Sequence, residues 1–498
     1  MTDDLYITTS IPYVNGAPHL GHALEFVHVD VLGRHRRLRG GSVRVQSGTD
    51  DHAIKNVAAA QAAGVGIADL VATNGDRFVD LARELDVVTD DFVRTSSDAR
   101  HRAAVVRLWQ ACAAAGDLYQ KDYAGLYCVG CEQFYTPDEL DAGCCREHGT
   151  PVQQVTESNW FFRLSRYREA IADLIHGGRL VIEPAQRRNE VLGFLAGDLH
   201  DLSVSRPAAR AAGWGIPVPG DPEQVIYVWF DALTNYVTGL GYGTADPDFD
   251  TWWAGTAERT HVIGKGIVRF HAIYWTAFLL SARLPVPDRI LVHDYLTVDG
   301  AKIAKSGAQA ADPQELTRTY GVDALRWWLL REPAPVGECD FTEERLVTAY
   351  NRDLANSLGN LTSRTLTLAA RSPRHWAPPA AAGVGDDLRA EAAALPPAID
   401  AALARYDFRT ACQLIAGLAE SGNRFIEAEA PWHLAKAADA GDAAAAARFA
   451  AVIDTLLTTC TAAAHELEPF VPQGATRLVR ELYATGRKPT AVFPRIAV

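Results

Sequence analysis

Lysine is nearly missing from this chain. Of 498 residues, 48 are lysine or arginine, and only seven of these are lysine: Lys55, Lys121, Lys265, Lys302, Lys305, Lys436 and Lys488. An ammonium is a compact, mobile point charge, whereas a guanidinium is a rigid planar fork. Lysine kept where arginine is the habit points to places that need the former. Two of the seven stand three residues apart in "DGAKIAKSG", on a glycine-flanked turn. Taken alone, such a turn reads as a solvated loop.

Long apolar runs are missing too. None reaches uninterrupted the roughly 18–20 residues of a membrane span, and the acidic start "MTDDLYITTS" lacks the basic-then-apolar order of a signal peptide. Excess positive charge is absent: a formal charge of -13 argues against a basic nucleic-acid coat but leaves room for a local positive groove. Eight cysteines without an export signal read as thiols or metal ligands rather than a disulfide scaffold. The expectation is a soluble, cytoplasmic chain of two to four domains, with no membrane partner.

What is present begins as alternating strand and helix. "LYITTSIPYV" is β-rich and runs into Asn15, Gly16 and Pro18; a helical stretch starts near "HLGHALEFVHVDVLGRHRRLRG", and "SVRVQSGTDDH" follows as a strand. That order predicts a parallel α/β sheet whose ligands gather at strand carboxyl ends. Short strands, turns and cysteines interrupt it over 117–160, as an insertion would. The pattern returns with "QVIYVWFDAL", "RTHVIGKGIVRFHAIYWTAFLL" and "DRILVHDYLTV", and from about Asp312 the signals are almost wholly helical.

Within the interruption, Cys128 and Cys131 form one pair, and Cys145 and His148 a second pair fourteen residues on. Two such clips can close a tetrahedral Cys3His zinc site, leaving no open position for catalysis. Free thiols or an emptied site are the alternative, and Cys144 is a substitute ligand of poorer register.

"APHLGH" places His19 and His22 three apart at a helix start, with Gly21 allowing close approach. A helix amino terminus favours phosphate, and two imidazoles there could donate hydrogen bonds to oxygens gaining charge in a transition state. Alone the tetrapeptide is weak, because core or capping histidines are commoner. With "KIAKS" late in the second α/β half it is much more specific.

The two motifs together resemble the signature of the class I aminoacyl-tRNA synthetases, and the chain is similar throughout to the methionyl members. The likeness rests on "IPYVNGAPHLGHA", "SGTDDHA", "YCVGCEQFY", "ESNWFFRLSRY", "RNEVLGFL", "DLSVSRP", "VIYVWFDALTNYV", "HVIGKGIVRFHAIYW", "KIAKS", "SLGNLTSR" and "EAPWHLAK". It implies an α/β fold: a Rossmann-type parallel-sheet catalytic domain split by a zinc-bearing insertion, then an all-α helical-bundle anticodon-binding domain. The expected boundaries are 1–116 and 216–290 for the catalytic halves, and 117–215 for the insertion with its knuckle at 128–148. A KMSKS-type loop and stem-contact region follows over 291–345, and the anticodon domain over 346–498.

Two aromatic groups have helical spacing, Ile267, His271 and Trp275 in one and Trp229, Ala232 and Tyr236 in the other. Spacing alone would favour a core stripe with a buried histidine. Between two aromatic walls, however, a flexible thioether is a sensible guest, and Asp50 at a strand end could hold an α-ammonium. The resemblance implies that Ile11, Pro12, Tyr13, Asp50, Trp229, Ala232, Tyr236, Ile267, His271 and Trp275 line the methionine pocket. It implies ATP binding, with Mg2+, by His19, Gly21, His22, Gly264, Lys302 and Lys305. Catalytic roles fall to His19, His22, Lys302, Lys305 and Arg206. Zinc would be held by Cys128, Cys131, Cys145 and His148. Asn360, Arg364 and Trp432 would read the anticodon of methionine tRNA, although capping and packing in a bundle is the ordinary reading of these three.

Three motifs depart from the family pattern. "KMSKS" is "KIAKS" here, with Ile303 and Ala304; "GTDEHG" is "GTDDHA", with Ala53; and "GKD" is "GKG", with Gly266. All fall on the ATP side. The expected activity is methionine–tRNA ligation by a monomer. The alternatives are a paralogue activating methionine for a small-molecule acceptor, or a regulator that only binds tRNA or methionine.

Overall fold

The computed structural model describes residues 4–128, 133–147, 149–244, 246–298, 300–302, 311–370, 383–484 and 490–497. It divides into two compact units. One comprises the chain up to Arg83 and Val87–Tyr295; the other comprises Glu84–Asp86 and most of the chain after Leu296.

The first unit is built on a six-stranded parallel sheet. Its strands are β1 (Leu5–Thr9), β2 (Val43–Thr49), β3 (Asp91–Arg94), β4 (Val181–Glu183), β5 (Glu258–Gly264) and β6 (Arg289–His293). Their order across the sheet is β3-β2-β1-β5-β6-β4. Every residue of β1 is buried, as expected of a strand covered on both faces. The chain leaves β1 toward β2 on one side, while β5 leads to β6 on the other. This reversal opens a crevice at the carboxyl ends of β1 and β5, where such sheets bind ligands.

Between β3 and β5 the chain builds an antiparallel sheet of its own. Leu118–Cys128 and Gln153–Phe162 pair from Leu118 opposite Phe162 to Tyr127 opposite Gln153, with Gln133–Tyr135 and Leu202–Ser203 on the two edges. The span 117–215, expected as one insertion, also returns β4 to the main sheet beside β6. A three-residue strand carries too little alternation to be read from sequence.

In the second unit Leu296–Val298 pairs parallel with Cys339–Phe341 and antiparallel with Ala301–Lys302. Helices follow. By length and composition one of them, Ala443–Leu467, could cross a membrane. Its Phe449, Val452, Leu456 and Leu467 are buried in this unit instead.

Candidate active site

Helix α1 (Leu20–Leu38) starts at the crevice, with His19 as its N-cap. The His19 Nδ1 accepts from the Gly21 backbone N–H at 3.1 Å, and the His22 Nδ1 accepts from the His19 N–H at 3.0 Å. Each imidazole thus spends Nδ1 as an acceptor and carries its proton on Nε2, as a donor. The rings stack with centroids 3.8 Å apart. Gly21 suits this cap: a Cβ there would stand 3.0 Å from the His19 Cε1, a tight contact. The two histidines are therefore held at a helix amino terminus with Nε2 as the protonated nitrogen, an arrangement that suits phosphate oxygens.

One turn along α1, the buried Glu25 accepts from the Ser10 N–H at 2.6 Å and hydroxyl at 2.7 Å, and its other oxygen lies 3.0 Å from His293 Nε2. This polar bridge ties the ends of β1 and β6 to α1. Sequence reasoning missed it because its three members are scattered across the chain.

Beyond β1 the chain keeps pairing with β2. Asp50 donates its N–H to the Pro12 carbonyl at 2.9 Å, and Tyr13 bridges Asp50. Ile11 packs over Gly48, whose Cβ position is 3.1 Å from Ile11 Cγ2. The Tyr13 ring meets Trp229 edge-on at 6.3 Å and carries the Lys55 ammonium at 5.2 Å. Asp50, 2% exposed, accepts from the His52 N–H at 3.2 Å.

Helix α2 (Val228–Thr238) brings Trp229, Ala232 and Tyr236 to this place. The segment holding Ile267, His271 and Trp275 was expected to be a plain α-helix. It is a 3-10 turn over Lys265–Ile267, then a wider π-type turn over Phe270–Trp275. His271 Nδ1 lies 2.9 Å from the Ile267 carbonyl, which can only accept, so that nitrogen bears the proton. The opposite nitrogen, Nε2, accepts the Tyr236 hydroxyl at 2.7 Å. Burial pushes His271 down to about 4, the Ile267 bond opposing, so the ring is neutral near pH 7. Trp275 lies 6.0 Å from Tyr236. The result is an uncharged aromatic slot with a buried carboxylate at Asp50.

Two slot residues were not foreseen. Phe270 stacks flat on Trp229 with centroids 3.8 Å apart, and His261 of β5 lies 4.1 Å from the Tyr236 ring. The "RFHAIYW" run held the signal for Phe270, but an i, i+4 template steps past it. A third group also emerges. Asp231 is clamped between His52 Nδ1 at 2.7 Å and His101 Nε2 at 2.5 Å. Burial opposes its ionisation, yet the two imidazoles hold its carboxyl below the usual range; Asp231 in turn raises His52 against the effect of burial.

Arg206 is held on several sides. Expected in the active site, it donates from Nη1 to the Ser203 and Ser205 carbonyls at 3.3 and 2.7 Å and to the Ser203 hydroxyl at 2.8 Å. Its guanidinium lies among Tyr127, Phe134 and Tyr227, at 5.4, 5.0 and 4.4 Å from their ring centres. At 3% exposure it joins Tyr127 and Phe134 of the insertion to Tyr227, the N-cap of α2.

Cys128 and Cys145 are buried thiols, each 1% exposed, in keeping with a soft-metal donor set. Cys131, His148, Ile303, Ala304 and Lys305 lie outside the described residues. No group of three or more metal-ligating side chains gathers among the described residues. Lys302 is placed by its backbone, opposite Thr297. Ala53 sits at φ -61, a conformation that needs no glycine.

In the second unit, Asn360 and Arg364 lie on α3 (Asn360–Ala369) and Trp432 on α4 (Pro431–Asp439). Asn360 donates to Asn423 at 3.1 Å, and Arg364 pairs with Glu427 at 2.6 Å. The Arg364 guanidinium is 5.9 Å from the Trp432 ring centre, and that indole is 37% exposed.

Residues 5–156 and 137–366 match the family tRNA synthetases class I (M). The chain is 39% identical over 493 residues to the methionine–tRNA ligase of Brucella melitensis, covering 97% of this chain and 92% of that one. It is 38% identical over 523 residues to the Mycobacterium tuberculosis ligase, covering 98% and 97%. The chain belongs to the methionyl family of class I tRNA synthetases. A solved structure of the family, the M. tuberculosis synthetase in complex with methionyl-adenylate, superposes with a TM-score of 0.92. It is 37% identical and covers 99% of this chain and 100% of that one. Family membership carries the class I fold: a parallel-sheet catalytic part followed by a helical part.

Proposed function

We propose that this chain is a cytoplasmic methionine–tRNA ligase that consumes ATP. The observation that carries the reading is the aromatic cluster of Tyr13, Trp229, Tyr236, the neutral His271 and Trp275, joined to Asp50 through Tyr13. An unbranched thioether gains from sulfur–aromatic contact there, and Asp50 can take the α-ammonium.

The methionine carboxylate attacks the α-phosphorus of ATP in line; a P–O bond forms to the carboxylate and the bond to pyrophosphate breaks. Little covalent chemistry falls to the protein, which aligns the reactants and neutralises spreading charge. His19 and His22 donate from Nε2 to the α-phosphate oxygens. Gly264 lets the nucleotide lie close to the end of β5. Lys302 and Lys305 supply positive charge to the departing pyrophosphate, and Mg2+ travels with ATP as part of the substrate. A terminal ribose hydroxyl of methionine tRNA then attacks the adenylate carbonyl and AMP leaves. Asn360 and Arg364 read anticodon base edges, and Trp432 stacks on an unpaired base. Cys128, Cys131, Cys145 and His148 hold a structural zinc that supplies cohesion to the insertion.

Against the alternatives, an acceptor other than tRNA would leave Arg364 and the exposed Trp432 without a task. Methionine-dependent exchange of labelled pyrophosphate into ATP tests the first step, and charging of methionine tRNA tests the second. Absence of exchange would reduce the chain to a binder. Exchange without charging would make it an amide ligase.

A further inference from the structure

Behind the aromatic cluster three buried polar side chains meet that no step of the reaction uses. Asp231 stands between Trp229 and Ala232 in sequence, yet at 3.6 residues per turn it lies on the other face of α2. Its two oxygens are divided: Oδ2 lies 2.7 Å from His52 Nδ1, and Oδ1 lies 2.5 Å from His101 Nε2. His101 comes from the helix Ala99–Ala114 and is fully buried. Its other nitrogen lies 2.9 Å from the hydroxyl of Thr238, seven residues after Asp231 on the same face. One imidazole thus spans two turns of α2 and fixes how that helix is rotated.

His52 comes from the stretch after β2, and that stretch is held from several sides. The Asp51 N–H donates to Thr95 Oγ1 at 2.9 Å, and the Asp51 carboxylate accepts from the Ser96 N–H at 3.2 Å and hydroxyl at 2.6 Å. Asn56 Nδ2 donates to the Asp50 and Asp51 carbonyls, each at 2.9 Å. Trp214 Nε1 donates to the Asp51 carbonyl at 2.7 Å. Within this frame the His52 N–H donates to Asp50 Oδ1 at 3.2 Å. His52 is therefore bonded at both ends, its backbone to the Asp50 carboxylate and its ring to the helix that carries the aromatic cluster.

Taking ionised groups out of water is costly, and apolar side chains of like volume often serve stability as well as a buried ion pair does. The use of such a pair lies in geometry, because charge-assisted bonds fix distance and direction. We propose that His52 is a positioning residue for methionine. Clamped to Asp231, it sets the span between Asp50, where the ammonium binds, and the face of α2 bearing Trp229, Ala232 and Tyr236, where the thioether lies. An amino acid one methylene longer must then give up one contact to keep the other. The inference rests on the methionine reading proposed above.

Calorimetric titration of the full chain with L-methionine, and with ethionine as its one-methylene-longer homologue, tests the span without ATP or turnover. The wild type is expected to bind methionine about tenfold or more tightly than ethionine, the size of one methylene. His52→Ala should weaken methionine roughly tenfold, the order of one charge-assisted hydrogen bond, and lose most of the preference over ethionine. His52→Asn, whose amide nitrogen stands where Nδ1 stood, should restore both. If His52→Ala fails to fold in thermal melts, His52→Gln, whose amide nitrogen reaches the Nε2 position instead, carries the same expectation. A merely structural role would weaken both ligands equally and keep their ratio. That result overturns the proposal, as does a His52→Asn chain no better than His52→Ala. A wild type that binds methionine but gives no pyrophosphate exchange overturns the ligase reading alone, and the same ratios still decide the span. A wild type that binds no methionine overturns both.

Discussion

The Tyr236 hydroxyl donates to His271 Nε2 at 2.7 Å, and the opposite nitrogen of that ring is taken by the Ile267 carbonyl at 2.9 Å. With both nitrogens engaged, the imidazole stays neutral and becomes a wall of fixed orientation. Removing the phenol oxygen would strand a buried acceptor, which costs about 1–3 kcal/mol. Tyr236→Phe is therefore expected to raise the KM for methionine about tenfold, within the range that this penalty allows. The KM for ATP should hold. Exchange kinetics would show it, and a normal methionine KM would remove this pair from the slot.

Acid should destabilise the fold through its buried histidines. Burial depresses His271 to about 4 from 6.5 and sets His261 and His28 well below the same ordinary value. Between those limits the unfolded chain binds protons that the folded chain refuses, so unfolding free energy falls as pH falls from about 6.5 toward 4. His52 has the opposite sense. Raised by Asp231 against the effect of burial, its contribution is complete below 6.5 and fades as pH climbs through its folded value. Thermal melts should show Tm dropping steadily below pH 6.5, with a flatter slope in His271→Gln. A Tm indifferent to pH over that window would contradict the buried, neutral assignment.

The parallel sheet and the cap at His19 were legible because their signals are local: a β-rich run, a helix start, a glycine where the cap folds back. The slot was half legible. Trp229 and Tyr236 share an α-helical face, as their spacing says, but His271 and Trp275 sit in a π-type turn that no 3.6-residue template describes. Partners of Asp231 and Glu25 were illegible, since His101 and His293 come from elements far away in the chain and meet them only in the folded unit. The surroundings of Arg206 were illegible for a related reason. A motif fixes the residue type, whereas the direction of its guanidinium depends on rings from two other strands and a helix cap.

The zinc assignment has a direct check. Cys128 and Cys145 lie buried on either side of the insertion's turns, and thiolate ligands there would bind the metal as that part folds. Metal analysis of the purified chain is expected to give about one zinc per chain for a Cys3His site. Cys145→Ser should lose it and expose the hairpin of Leu118–Cys128 and Gln153–Phe162 to proteolysis, while Cys144→Ser should keep it. Equal zinc content in all three proteins would refute the ligand set.

Trp432 separates the two halves of the reaction. The indole is 37% exposed at the start of α4, with the Arg364 guanidinium 5.9 Å from its ring centre. An exposed ring beside a cation is a ready surface for an unpaired base, and such a contact is worth about 1–3 kcal/mol. Trp432→Ala should therefore raise the KM for methionine tRNA roughly tenfold to hundredfold in charging, from that same range. Methionine-dependent pyrophosphate exchange needs no tRNA and should stay at the wild-type rate, with the fold intact by circular dichroism. If charging survives undiminished, Trp432 is a packing residue of the bundle, and anticodon recognition must be sought on another surface of the helical unit.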